Sequence, residues 1–362
     1  MTEYLLAIGT AKGLFLARST DRLSWHLSEP HFMMNAVYAV AVDTRGKRPR
    51  LLVSATSEHW GPSVFTSDDL GETWQEPDSG SLRFPADTAA TLERVWQLAP
   101  SPSEAGVVWA GSQPSALWRS EDGGAHFDLV RPLWDHPHRP LWGEGFGGQA
   151  IHTVLPHPTD PDRLTVAMST GGVYRTEDAG RSWTASNQGV KAYFLPDPWP
   201  EFGQCVHKIA RDAADPDLLY LQNHHGVYRS EDGGRSWQSI AGTLPTDFGF
   251  AMVTHPSRGR VAYNWPIQAD GERLPPGRAC RVYRTEDAGD TWTPLTEGLP
   301  QREFYDIVLR DGMSTDGAEP AGLYFGTRGG SVYASADEGD SWRPVAEHLP
   351  GVLCVRAAAL GS

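Results

Sequence analysis

One eight-residue phrase recurs six times along the chain and constrains its fold more than any other feature. Each copy reads Ser/Thr-x-Asp-x-Gly-x-x-aromatic, and consecutive copies start 50–56 residues apart. We call these copies boxes, and they begin at Ser67, Ser120, Thr176, Ser230, Thr285 and Ser335. A degenerate copy without the glycine begins at Ser19, which brings the number of repeats to seven. A period this regular indicates one structural unit per repeat.

Each repeat carries the same succession of short strand-like runs. In the repeat that contains the fourth box, such runs cover residues 206–209, 218–221, 226–229 and 236–240, with Gly, Pro and Asp turn residues between them. Four short strands of this kind make one antiparallel sheet, and such sheets repeated radially make a propeller. The sequence therefore predicts an all-β fold, a seven-bladed β-propeller of four-stranded antiparallel blades, in a single domain that spans residues 1–362.

The two ends of the chain suggest how the ring of blades closes. Residues 5–9 match the second strand of a repeat, and no first strand precedes them. Residues 352–357 match a first strand with no box after it. We expect these two segments to pair, because the pairing completes the N-terminal blade and covers two sheet edges.

The residues of a box suit a hairpin turn between the third and fourth strands. The Asp carboxylate can accept backbone N–H groups, the Gly can adopt a positive φ, and the aromatic ring can pack between blades. We therefore interpret the box aspartates as structural residues.

Composition excludes several classes of partner. The formal net charge of −14 makes a nucleic-acid partner unsuitable, because binding to phosphates needs a basic surface. The chain contains no run of about 18 apolar residues, so we expect no membrane partner. The cysteines Cys205, Cys280 and Cys354 are too few and too scattered for a disulfide framework. We expect free thiols and a cytoplasmic protein.

The boxes resemble those of a known family. Together with the Gly-Val-Tyr-Arg strand at residues 226–229 and the Asp-Pro-Asp hairpin at residues 215–217, they resemble the Asp-box, or bacterial-neuraminidase repeat, superfamily over essentially the whole chain. That superfamily includes sialidases, xyloglucan-degrading hydrolases, sortilin-like receptor ectodomains and a photosystem assembly factor. The resemblance implies the fold and leaves the function open.

In this topology a ligand site is expected at the channel mouth, on the face opposite the boxes. The loops and strand ends that reach this face carry polar and aromatic residues suited to ligand binding: Trp60, Arg94, Trp96, Gln149, Gln204, Asn223, Trp265, Arg302 and Arg328, together with Tyr38 and Gln113. Three longer insertions, residues 131–150, 186–204 and 265–280, can form a rim around it. Exposed aromatic rings in a cleft suit sugars or other flat ligands.

Three functions remain open at this point. The first is a non-catalytic scaffold that binds a small molecule, a carbohydrate or a protein partner. The second is a glycoside-directed, sialidase-like hydrolase, with Arg94, Arg302 and Arg328 on a carboxylate and Tyr305 paired with Glu303 as nucleophile. The Arg-Ile-Pro motif of sialidases is absent, and sialidases have six blades rather than seven.

The third function is a metal-dependent hydrolase or lyase that uses a divalent metal ion as cofactor. Its ligands would come from the histidines of the predicted face: His59, His152, His207, His224 and His225. No compact motif such as H-E-x-x-H supports it. The carboxyl and phenol groups available for catalysis on that face are Glu58, Glu303, Tyr305 and Asp306.

Overall fold

The computed structural model describes residues 2–77, 80–145 and 148–361. In these ranges the chain forms 27 β-strands, one four-residue α-helix and three short 3₁₀ helices. No helix among the described residues is long and apolar enough to cross a membrane. Contacts group the chain into a first unit, Met1–Met33, Gly189–Trp199 and His207–Ser362, and a second unit, Met34–Gln188 and Pro200–Val206.

The strands of the first half of the chain are β1 Glu3–Thr10, β2 Gly13–Ser19, β3 His26–Leu27, β4 Ala36–Asp43, β5 Arg50–Ser57, β6 Gly61–Ser67, β7 Arg94–Pro100, β8 Val108–Gln113, β9 Ala116–Ser120, β10 Asp128–Leu129, β11 Ile151–Pro156, β12 Leu164–Met168, β13 Gly172–Thr176 and β14 Thr184–Ala185. The helix α1 covers Arg131–Trp134, and the 3₁₀ helices cover Ala86–Thr88, Arg139–Leu141 and Pro276–Arg278.

The strands of the second half are β15 Val206–Arg211, β16 Leu219–Asn223, β17 Val227–Ser230, β18 Gln238–Ser239, β19 Phe248–Thr254, β20 Ala262–Ile267, β21 Val282–Thr285, β22 Thr293–Leu295, β23 Val308–Thr315, β24 Leu323–Thr327, β25 Val332–Ser335, β26 Arg343–Ala346 and β27 Val352–Leu360.

The second unit contains three antiparallel sheets. Two are four-stranded, β7 to β10 and β11 to β14, and one is three-stranded, β4 to β6, followed by a single bridge between Thr66 and Gln75. Inside each sheet, consecutive strands pair as hairpins. Strand β12 is buried at every residue and is apolar except for Thr165, as expected of a strand covered on both faces.

The first unit contains two four-stranded sheets and one eight-stranded sheet. The four-stranded sheets are β15 to β18 and β19 to β22. Strand β15 belongs to this unit from His207 onwards. The eight-stranded sheet has the order β26-β25-β24-β23-β27-β1-β2-β3. The architecture is therefore all-β with repeated four-stranded antiparallel sheets, which is consistent with a β-propeller.

Strand β27 joins the two ends of the first unit. It pairs antiparallel with β1 in a register that opposes Leu6 to Ala357 and Ile8 to Val355, and it meets β23 at a single parallel bridge. Leu6, Ile8 and Val355 are fully buried in one apolar cluster. The predicted pairing of residues 352–357 with residues 5–9 is confirmed.

The boxes form the expected turns. In the box that starts at Thr285, Asp287 Oδ1 accepts the Thr285 hydroxyl (2.8 Å) and the backbone N–H of Thr291 (2.9 Å). The Gly289 N–H donates to the Thr285 hydroxyl oxygen, and Gly289 has a φ of +97°. Trp292 is buried, and its Nε1 donates to the Ile240 carbonyl of the preceding sheet (2.9 Å). The structural interpretation of the box residues is confirmed.

These hydrogen bonds favour the ionised carboxylate. Asp69 accepts the Thr73 hydroxyl (2.6 Å), the Thr73 N–H (2.9 Å) and the Ser67 hydroxyl (2.7 Å). The Thr73 side chain first, and then its backbone N–H, hold the pKa of Asp69 at about 2. Because the pKa in the folded state is depressed, this stabilisation is present above the pKa of the unfolded chain and is lost as the pH falls through about 2.

We expect Asp69→Asn to lower the unfolding temperature at pH 7, because the amide supplies only one acceptor oxygen to this turn. The difference from wild type should shrink as the pH falls from about 4 to about 2, where the wild-type carboxylate becomes protonated. Thermal unfolding followed by circular dichroism across this pH range measures both effects. Glu72→Gln is the matched control, since Glu72 is exposed in the same turn and should give the wild-type profile. A difference that stays constant down to pH 2 would contradict the assignment.

Candidate functional site

Aromatic and histidine side chains gather at one end of the sheets of the first unit. They come from the segment Gly189–Trp199, the turn between β16 and β17, and the first residues of β15 and β19. We call this group the aromatic–histidine surface, and its members are Lys191, Tyr193, Phe194, Trp199, His207, His224, His225, Phe248 and Phe250. These strand ends and turns are the ones at which the sequence predicted a ligand site.

The rings of this surface form a continuous series of contacts. Ring centroids lie 5.1 Å apart for Tyr193 and His225, 4.7 Å for His225 and His224, and 5.1 Å for His224 and Phe248. His207 then packs against Phe250 at 4.6 Å. The contacts run from the loop residue Tyr193 to a buried strand residue, and Phe194 likewise packs against His224 and His225.

The outer rings are exposed despite this support. Tyr193, Phe194 and Trp199 keep 58%, 46% and 52% of their surface accessible. Lys191 Nζ lies 5.0 Å from the ring centre of Tyr193 and 5.4 Å from that of Trp199. Fixed, exposed rings beside a cation offer a face for stacking and a donor for hydrogen bonds.

Asn223 holds the segment Gly189–Trp199 in place. Its Nδ2 donates to the carbonyl of Lys191 (2.8 Å) and to that of His225 (3.3 Å), and its side chain is fully buried. Tyr228 adds a second connection, because its hydroxyl donates to the His225 carbonyl (2.5 Å) and accepts the Lys191 N–H (3.3 Å). Asn223, predicted to bind ligand, is placed as a positioning residue.

The surroundings of the histidines of the surface lower their pKa values and so favour the neutral form. Burial lowers the pKa of His207, the nearby charge of Arg310 lowers it further, and the ring Nδ1 lies 2.6 Å from the Gly249 carbonyl oxygen. Burial also lowers the pKa of His224 and of His225. A neutral imidazole that donates one N–H to a carbonyl keeps its other nitrogen as an acceptor or metal ligand.

The structure brings together three of the five histidines predicted as metal ligands. A ligand nitrogen of His207 and one of His224 lie within 4.8 Å of each other, and His225 is adjacent. His59 and His152 belong to the second unit, where His59 is exposed in the turn after β5 and His152 is buried in β11. The metal site stays a prediction.

The second unit gathers another group of predicted residues. The guanidinium of Arg94 lies 4.3 Å from the ring centre of Tyr38 and 5.3 Å from that of Trp96. Gln113 Oε1 accepts from both Arg94 Nη1 and Trp96 Nε1 at 3.2 Å, and Gln113 Nε2 donates to Glu93 (2.7 Å). Four residues that the sequence placed on one face therefore form one polar and aromatic cluster.

Other predicted ligand residues of the second unit have different environments. Trp60 is 92% exposed in the turn before β6 and lines a cleft of about 740 Å³ with Phe65 and Phe84. Gln204 is fully buried and donates to the Pro200 carbonyl (2.8 Å), and Gln149 donates to the Trp142 carbonyl (2.9 Å). Gln149 and Gln204 therefore hold loops. The insertion 131–150 includes residues 146 and 147, which lie outside the described residues.

The prediction that Trp265 lies in a loop is wrong. Strand β20 continues through it to Ile267, and its side chain is fully buried against Phe304 and Phe325. The next residue, Pro266, lies opposite Gly249 at a point where the register of β19 and β20 shifts. A proline is tolerated there because the ladder is already interrupted.

The predicted catalytic residues do not assemble into a recognisable pair. The carboxylate of Asp306 accepts the N–H of Gly329 (2.8 and 2.9 Å to its two oxygens) and that of Ile307 (2.8 Å), so it anchors a turn. Tyr305 is 56% exposed. The remaining candidates of this group are all exposed: Glu58, Arg302, Glu303 and Arg328. Glu58 belongs to the second unit and the other three to the first.

Sequence reasoning missed Lys191, Tyr193 and Phe194. The insertion 186–204 was recognised as a rim, but loop residues have no periodicity that shows which side chains emerge. The adjacent aromatic pair at residues 193 and 194 was the available signal, because two large rings in a Gly- and Pro-rich loop need either a core or a ligand.

We expect Asn223→Ala to loosen the segment Gly189–Trp199, because it removes both hydrogen bonds of the Asn223 amide and leaves the Lys191 carbonyl without that donor, at a cost of about 1–3 kcal/mol. Limited chymotrypsin digestion should then cleave after Tyr193 or Phe194 faster than in wild type, while the sheets remain resistant. Asn35→Ala is the control, since Asn35 makes no such tether. Equal cleavage of all three proteins would contradict the positioning role.

Comparisons with known proteins show that the chain is similar in sequence to xyloglucanases. It is 26% identical over 196 residues to a xyloglucanase of Paenibacillus sp, and the aligned region covers 49% of this chain and 17% of that enzyme. It is 22% identical over 333 residues to a xyloglucanase of Hypocrea jecorina, and the aligned region covers 91% of this chain and 33% of that enzyme. The chain thus spans a third or less of the length of these relatives. No family model matches it.

Solved structures support the fold. An ancestral GH74 enzyme superposes with a TM-score of 0.57 and 19% identity over 85% of this chain and 38% of that one. YCF48 from Cyanidioschyzon merolae superposes with a TM-score of 0.53 and 15% identity over 87% of this chain and 86% of that one. Both are β-propellers. The chain is therefore similar in fold both to a GH74 enzyme and to YCF48. The relatives found by sequence are xyloglucanases.

Proposed function

We propose that this chain is a glycan-binding β-propeller of seven Asp-box blades whose ligand lies on the aromatic–histidine surface. The single observation that carries the proposal is the set of three exposed rings, Tyr193, Phe194 and Trp199, fixed on one short segment beside Lys191. Aromatic faces stack on the C–H faces of sugar rings, and flanking polar groups select hydroxyls. The similarity to xyloglucanases supports a glycan as the ligand.

The strand count supports seven blades. The eight-stranded sheet consists of two four-stranded groups, β23 to β26 and β27 with β1 to β3. Among the described residues, the strand pairing between these groups is the single bridge between Asp311 and Cys354. With the four separate four-stranded sheets and the sheet β4 to β6, the described strands form seven groups, six of four strands and one of three. This agrees with the seven repeats of the sequence. A single closed domain is part of the proposal.

Binding is favoured over hydrolysis. A glycosidase needs two carboxyl groups about 5–10 Å apart, or a Tyr/Glu pair with an acid, across the sugar. Both oxygens of Asp306 already accept backbone N–H groups, so Asp306 is unsuited to exchange a proton with a substrate. Glu303 and Tyr305 are exposed on one loop, and the described residues show no hydrogen bond or ion pair between them. The predicted catalytic residues therefore supply no identifiable catalytic pair, whereas the aromatic–histidine surface has the groups for binding.

We expect the wild-type protein to bind xyloglucan oligosaccharides in isothermal titration calorimetry, and Trp199→Ala and Tyr193→Ala each to weaken binding about tenfold, because each removes one stacking ring. Cello-oligosaccharides of the same backbone length show whether side-chain xylose is recognised.

Leu23→Ala is the matched control for this experiment. Leu23 is a half-exposed apolar residue of the degenerate box, away from the surface. Its variant should bind as wild type does. Absence of glycan binding by the wild-type protein, or equal loss in all three variants, would overturn the proposal.

A further inference from the structure

Three charged residues from three different sheet-forming strands meet inside the first unit. Lys208 comes from β15, Asp311 from β23 and Arg356 from β27. None of them belongs to the aromatic–histidine surface, and nothing in the proposed function uses them. They are nonetheless largely buried: the exposed fractions of their side chains are 11%, 3% and 21%.

The two cations share a single carboxylate oxygen. Lys208 Nζ donates to Asp311 Oδ1 at 2.8 Å, and Arg356 Nη2 donates to the same oxygen at 2.5 Å. Arg356 Nη1 is directed to backbone carbonyls, that of Val355 at 2.8 Å and that of Asp311 at 3.4 Å. The Lys208 ammonium has three N–H groups and uses one of them on Asp311.

The charges of this triad do not balance. In residues 2–77, 80–145 and 148–361, Asp311 is the only carboxylate within 4.0 Å of either cation. Two positive charges therefore face one negative charge. Buried charges are stable when they are paired, and an uncompensated one is expensive. The imbalance stands out in a chain whose overall charge is −14, because anionic residues are abundant elsewhere.

The triad also has an unused acceptor. Asp311 Oδ2 is buried and has no hydrogen-bond partner among the described residues. A ligand that satisfies the whole triad must supply an anionic oxygen to Lys208 and Arg356 and a hydroxyl donor to Asp311 Oδ2. Simple anions such as chloride supply only the first. A carboxylate that carries a neighbouring hydroxyl, as sugar acids do, supplies both.

We propose that Lys208, Asp311 and Arg356 form a binding site for a small hydroxy-carboxylate of the sugar-acid class. The carboxylate lies between the ammonium and the guanidinium, and the hydroxyl donates to Asp311 Oδ2. Access is from the side of Arg356, whose side chain is the most exposed of the three. The site is independent of the proposed glycan surface, which takes uncharged oligosaccharides.

Sodium glucuronate is the probe for this site. We expect saturable binding of glucuronate to the wild-type protein in isothermal titration calorimetry at constant ionic strength. Acetate, which lacks the hydroxyl, should bind about tenfold more weakly, and glucose, which lacks the charge, should not bind. Failure of glucuronate to bind saturably, or equal binding of glucose, would overturn the proposal from wild-type protein alone.

Two variants test the roles of the residues. Lys208→Met should reduce glucuronate affinity at least about tenfold, and it leaves Asp311 paired with Arg356, one charge of each sign, so we expect it to fold. Asp311→Asn should abolish the advantage of glucuronate over acetate, because the amide offers no second carboxylate oxygen to the hydroxyl. Lys12→Met, at an exposed lysine of the same unit, is the control. Wild-type affinity in a folded Lys208→Met protein would contradict the site.

Discussion

The pairing of β27 with β1 is the interaction on which the first unit depends. It joins segments from the two ends of the chain through a ladder that runs from Glu3 opposite Leu360 to Thr10 opposite Val352. Without β27, the long strand β1 would present a row of unpaired backbone groups and the apolar side chains of Leu6 and Ile8 would lose their cover. The same strand carries Arg356, so closure and the charged triad are coupled.

The boxes leave the opposite strand ends free to vary. The boxes fix the connection from the third to the fourth strand by the same few hydrogen bonds, and in the box that starts at Thr285 the aromatic residue Trp292 also donates to the preceding sheet. The connections at the other ends have no such conserved geometry within the chain. They can therefore lengthen and carry rings, as the segment Gly189–Trp199 does, without disturbing the sheets.

Local features were predictable from the sequence, and distant ones were not. The boxes and the strand order follow from short-range patterns, and the meeting of His207 with His224 follows from the hairpin of β15 and β16. The position of Trp265 was predicted wrongly because the insertion was expected to begin at residue 265, whereas β20 continues to Ile267. The Lys208–Asp311 pair was not foreseen, because its partners lie 103 positions apart and no local pattern connects them.

Asn223 is another residue whose role was not predictable from the sequence. Its residue type and position suggested ligand binding, and only its burial and its bonds to the Lys191 and His225 carbonyls reveal that it positions the rings. Polar residues at strand ends serve both purposes, and sequence alone does not separate them. The exposed rings beside it then become the groups that meet a ligand.

The central claim, that β27 holds the two ends of the first unit together, is tested most directly by removing it. A chain that ends at residue 351 is compared by thermal unfolding and size-exclusion chromatography with one that ends at residue 360. The account predicts that the shorter chain aggregates or loses its cooperative transition, while the longer one behaves as the full chain does. A monomeric, cooperatively folded protein ending at residue 351 would contradict it.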